Sequence, residues 1–97
     1  MDLPPVHDNP ALHRFELEVG GVVAFSEYHR ANGVVTFIHT EVPEELGGKG
    51  VGSALAGGAL DLVRARGEKV IAKCPFIAAF IGKHPAYQDL LVHKNDA

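Results

Sequence analysis

Cysteine is nearly missing from this chain. Cys74 is the single one in 97 residues, so no internal disulfide can form, and the composition suits a reducing, cytoplasmic setting. No lysine- or arginine-rich run is present, and the net charge is -3 with histidines neutral. A nucleic-acid footprint is therefore absent. No apolar stretch reaches the length of a membrane span. The first ten residues hold Pro4, Pro5 and Pro10 and lack the apolar stretch of a signal peptide. His7, His13, His29 and His93 form no metal-ligand spacing with Cys74, so no metal is expected. Repeats and low-complexity tracts are also lacking.

What is present reads as a small globular protein. Apolar residues make up 46% and charged residues 22%, an ordinary balance. The length fits one domain over residues 1–97. Such a domain buries a modest core and builds an open groove more readily than a large enclosed cavity. Its mild acidity, three net charges, decides little about a partner.

Residues 1–12 read as an extended arm. Phe15, Leu17 and Val19 then alternate with Arg14, Glu16 and Glu18, the period of a half-buried strand. Gly20-Gly21 marks a tight turn, and residues 22–30 form a second strand. Asn32-Gly33 is a hairpin turn, since both positions tolerate positive φ. Residues 34–42 make a third strand. From residue 50 to 66 the pattern is helical: Val51, Leu55, Ala59, Leu62 and Val63 share a face. Arg64 and Arg66 suit the negative end of the dipole, and Gly67 suits the left-handed residue after the helix. Residues 69–73 form a fourth strand. Pro75 opens a second helix running to about residue 83, which His84-Pro85 ends. Residues 86–97 read as a short strand or turn with a loose tail from 92. The expected fold is mixed α/β (α+β): an antiparallel meander, a right-handed β-α-β unit with parallel strands, and a C-terminal helix.

The sharpest motif is Gly47-Gly48-Lys49-Gly50-Val51-Gly52-Ser53, between a strand and a helix. Glycines let backbone approach a ligand. The first amides of a helix lack internal partners and, with the dipole, attract phosphate oxygens. Lys49 adds a positive charge. The motif is neither a P-loop, because Gly50 follows Lys49, nor the dinucleotide fingerprint, whose third glycine is missing. On spacing alone the cluster also reads as a flexible turn. Gly57 and Gly58 lie inside the helix, where glycine costs about 1 kcal/mol against alanine; small residues there are expected to let the helix approach the sheet.

The turn resembles the [QR]-x-x-G-x-[GA] motif of the GCN5-related N-acetyltransferase superfamily, with Gly47 in place of Gln or Arg. Arg14-Phe15-Glu16-Leu17, His39-Thr40-Glu41-Val42-Pro43, Gly48-Lys49-Gly50, Cys74-Pro75-Phe76, His84-Pro85 and Tyr87 extend the resemblance to a small subfamily of short acetyltransferase-like proteins. It covers residues 6–91. The resemblance implies acetyl-coenzyme A as the acyl donor. Backbone near Val42 would pair with the pantetheine arm. Gly48, Lys49, Gly50, Val51, Gly52 and Ser53 would hold the pyrophosphate. The third and fourth strands would splay around the thioester. The superfamily's N-terminal helices are missing, which implies an open acceptor side and a protein or peptide amine as acceptor.

Amine acetylation needs a route for the amine proton and donors for the thioester oxygen. Cys74 is the first catalytic candidate. A thiol before Pro75 and at the start of a helix tends towards thiolate and could take the acetyl group covalently; the plain alternative is a small core residue. His39 is the candidate base, expected to share a strand face with Phe37 and Glu41. Glu41 would orient it or act alone; edge positions for both are the plain alternatives. Tyr87 could donate to a leaving thiolate or simply pack, and His84 could serve the turn before Pro85 or touch the donor. The function expected is acetyl-CoA-dependent N-acetylation by a monomer or weak dimer. The rivals are a non-catalytic CoA-binding module and a plain interaction domain.

Overall fold

The computed structural model describes residues 3–92. The strands are β1 (His7–Asn9), β2 (Arg14–Val19), β3 (Val22–Ala31), β4 (Val34–Glu41) and β5 (Lys69–Ala72); the helices are α1 (Val51–Ala65) and α2 (Pro75–Lys83). They form one five-stranded sheet in the order β1-β2-β3-β4-β5. The first four strands pair antiparallel and β5 joins β4 parallel. Short 3-10 turns occupy Pro10–Leu12, Glu44–Leu46 and Pro85–Leu90.

The expected mixed architecture is present, with one strand more. Within the supposed extended arm, His7–Asn9 pairs with β2. Its anchors are distant in sequence. Asp8 accepts hydrogen bonds from the Tyr28 hydroxyl and the Arg30 guanidinium. Three residues are too few to show a period of two. The C-terminal segment is a 3-10 turn followed by a parallel bridge from Leu91 to Val70. Of the expected loose tail, residues 93–97 lie outside the described residues.

One core binds sheet to helices. Phe15, Leu17, Val35 and Phe37 are fully buried, as are Leu55, Leu60 and Val63 of α1 and Ile77 of α2. Each such side chain contributes about 1.5–3 kcal/mol by leaving water. Gly57 and Gly58 are a partial correction. A Cβ at Gly58 would lie 2.4 Å from Val6, and one at Gly57 would lie 3.6 Å from Phe80 and 3.7 Å from the Tyr87 hydroxyl. Gly58 therefore admits the N-terminal segment, a Cβ at Gly57 would make only ordinary contacts, and bulkier side chains of α1 meet the sheet.

A bulge in β4 decides which side chains face this core. Glu27 is opposite His39, but Tyr28 is opposite Phe37, so Ile38 is the extra residue. An extra residue flips every side chain that follows.

Candidate active site

Phe37 is where β4 and β5 part. Its carbonyl accepts from the amides of both Lys73 and Cys74, each at 3.0 Å. Pairing with β5 stops there, while β4 continues to Glu41. The chain after Cys74 turns into α2, because Pro75 fits a first helical turn but cannot extend a ladder. Beyond Phe37 the two strands part as an unpaired wedge, which the side chains of Thr40 and Cys74 span.

Cys74 is the residue before α2, with extended φ and ψ of -74° and 121°. It is 3% exposed. Its Sγ lies 3.3 Å from Thr40 Oγ1, which in turn lies 2.9 Å from Ser26 Oγ. Ser26 is fully buried on β3. The bulge creates this chain. Uninterrupted alternation from Val35 and Phe37 would turn His39 inward; the extra residue turns Thr40 inward instead.

His39 therefore does not share a face with Phe37, contrary to the alternation read from sequence. It does share one with Glu41: Nε2 and Oε1 are 3.3 Å apart, with the side chains 52% and 61% exposed. The structure thus brings Cys74 to Thr40 and Ser26, and His39 to Glu41. Among the described residues, no hydrogen bond joins the two groups.

The glycine turn lies beside the wedge. Gly48 and Gly50 have φ of 74° and 75°, the left-handed region that glycine enters freely. Gly50 caps α1, and its carbonyl accepts from Ala54. Among the described residues, the amides of residues 48–53 donate to no protein acceptor. Val51 is buried, so it can offer a ligand only its backbone. Lys49 and Ser53 are exposed. Gly52 lies close to Phe76 and Val42: a Cβ there would push on the tip of the partly exposed Phe76 ring at 2.9 Å and touch Val42 at 3.6 Å. Val42, Gly52 and Phe76 thus join the end of β4 to the starts of both helices.

A cleft of about 240 Å³ continues from the turn between the helices, lined by Ser53, Phe76, Ala79, Phe80, Lys83 and His84. The His84 ring stacks on Phe80 with centroids 3.9 Å apart, and its Nδ1 is 2.7 Å from the Phe80 carbonyl. Tyr87 is engaged elsewhere. Its hydroxyl donates to Asp61 at 2.9 Å, and burial, then the Asp61 carboxylate, raise its pKa. Among the described residues, no group of three His, Cys, Asp or Glu side chains could hold a metal ion. None of the described helices is long and apolar enough to cross a membrane.

Sequence reasoning missed Thr40 and Ser26. Ser26 was within reach, since it follows Ala24 and precedes Tyr28 in the inward register of β3. Thr40 had no signal, because a bulge at Ile38 leaves no mark in the local sequence.

The family profile of GCN5-related N-acetyl-transferases matches residues 14–90. The chain belongs to that family, whose members carry out acyl transfer, typically from acetyl-CoA. A Staphylococcus aureus protein, described from its NMR solution structure as a GCN5-like candidate N-acetyltransferase, is similar over 100% of both chains. It has 26% sequence identity and a TM-score of 0.69. No curated protein matches the sequence.

Proposed function

We propose that the protein is an acetyl-CoA-dependent N-acetyltransferase acting on an amine, such as a peptide lysine or N-terminus. The observation that carries this reading is the run of six amides at residues 48–53 without a protein acceptor among the described residues, next to the wedge that Cys74 and Thr40 span. Residues present fit the donor. Backbone amides at the opening of α1 suit a pyrophosphate, with Lys49 and Lys83 as nearby cations. The edge of β4 that β5 leaves unpaired beyond Phe37, continued by Val42, suits an amide-bearing arm. Acetyl-CoA supplies an activated acyl group when bound. Cys74 is the proposed acceptor of that group. Its Sγ forms a bond to the acyl carbon as the donor's carbon–sulfur bond breaks, and the proton Cys74 loses ends on the departing thiolate. The acceptor amine then takes the acyl group, Sγ leaves as the thiolate, and the amine's proton passes through water to the base. His39 with Glu41 is the proposed base for that amine, on the opposite, open face of β4.

Cys74→Ala is expected to keep acetyl-CoA binding and lose acetyl transfer. Full transfer by this variant would remove Cys74 from the mechanism and leave direct attack by the amine. One observation favours a second reading, a non-catalytic CoA-binding module: the proposed base pair faces away from the thiol. Tight binding with no turnover on amines or peptides would select it.

A further inference from the structure

Between Cys74 and the middle of the sheet runs a chain of hydroxyls that the proposed transfer does not itself require. Ser26 Oγ has one hydrogen-bond partner among the described residues, Thr40 Oγ1 at 2.9 Å. Thr40 Oγ1 has two, Ser26 and Cys74 Sγ at 3.3 Å. Cys74 Sγ has Thr40 alone. Ser26 is fully buried, and a buried hydroxyl proton left without an acceptor is costly. The Ser26 proton therefore goes to Thr40. That leaves the Thr40 proton free to donate to sulfur. In the opposite orientation Cys74 would donate to Thr40 and Thr40 to Ser26, leaving the Ser26 proton with no acceptor among the described residues; the first orientation leaves only the thiol proton without one, which costs less because S–H is a weak donor.

We infer that Thr40 is a positioning residue that holds Cys74 in its accepting, nucleophilic form, with Ser26 fixing the direction of the Thr40 hydroxyl. This rests on the proposal that Cys74 takes the acyl group. A thiolate sulfur can only accept hydrogen bonds, and a donor to a charged acceptor is about twice as strong as a neutral one. The bulge at Ile38 is what delivers Thr40. The group presented to the thiol is a hydroxyl with no charge of its own, so it orients sulfur without acting as its base.

Two readouts separate this inference from the function it rests on. The first is the rate at which iodoacetamide alkylates Cys74 in the ligand-free chain at neutral pH. The second is the mass of the intact chain after incubation with acetyl-CoA. Thr40→Val and Thr40→Ala are each expected to slow alkylation about ten-fold, the loss of one charge-assisted hydrogen bond. Thr40→Ser should restore the rate, which a purely structural role for the methyl group would not do. Ser26→Ala should slow it by a smaller factor and supports the same conclusion should the Thr40 variants not fold. Unchanged rates in folded Thr40 or Ser26 variants, or a slow Thr40→Ser, would overturn the role of Thr40. Wild-type chain that is alkylated at the expected rates yet never gains an acetyl group on Cys74 would instead overturn the covalent function and leave the hydroxyl chain standing.

Discussion

At the scale of single residues, glycines and buried polar groups set the tightest constraints. Gly58 is held against Val6, where an added Cβ would sit 2.4 Å from a methyl group. Gly58→Ala is expected to lower stability by about 1–3 kcal/mol in urea unfolding, and Val6→Ala should recover part of that loss in the double variant. Additive losses would mean that the two do not share the space. Titration follows the same logic. Burial would raise the Glu16 carboxyl, but hydrogen bonds from Arg14, Asn9 and His7 outweigh it and lower its pKa below 4.5. Its folded value being depressed, Glu16 stabilises the fold above its ordinary value and ceases to do so as pH falls. Tyr28 is the reverse case: burial, then its bond to Asp8, push it up to about 12 from 10.0. Its contribution is complete below pH 10 and is lost as pH rises towards 12. Unfolding free energies followed with pH should show a decline at both ends. Glu16→Gln should flatten the acid limb and Tyr28→Phe the alkaline one; a limb that keeps its slope contradicts the assignment.

Elements differ in how much of them sequence discloses. The meander was legible because Phe15, Leu17 and Val19 repeat at two and Asn32-Gly33 closes a hairpin. Helix α1 was legible from Val51, Leu55 and Val63. The glycine turn was placed correctly because Gly48 and Gly50 adopt the positive φ that glycine permits. Strand β1 was not legible: three residues carry no period, and its hold comes from Tyr28 and Arg30, some twenty residues away. The inward face of β4 was misread beyond Phe37 for a related reason. An extra residue at Ile38 depends on how β3 pairs, not on the local pattern. These long-range ties are testable. Asp8→Ala leaves the Tyr28 hydroxyl and Arg30 short of a partner and is expected to cost about 1–3 kcal/mol, with faster amide exchange concentrated in β1. Uniform protection across the sheet in that variant would show that β1 is held by other means.

On the scale of the whole molecule, both helices cover one sheet face and the wedge between β4 and β5 opens at their N-terminal ends. That arrangement sets Ser53 of the glycine turn and Lys83 on the cleft between the helices, places Cys74 buried just before α2, and leaves His39 and Glu41 exposed on the other sheet face. The most direct test of this account is a titration of isotope-labelled protein with acetyl-CoA, followed by the backbone amide resonances. The account predicts saturable binding, with the largest shifts at residues 48–53 and a second group around Thr40 and Cys74. Binding that leaves the residue 48–53 amides unmoved, or no binding at high micromolar ligand, would contradict it.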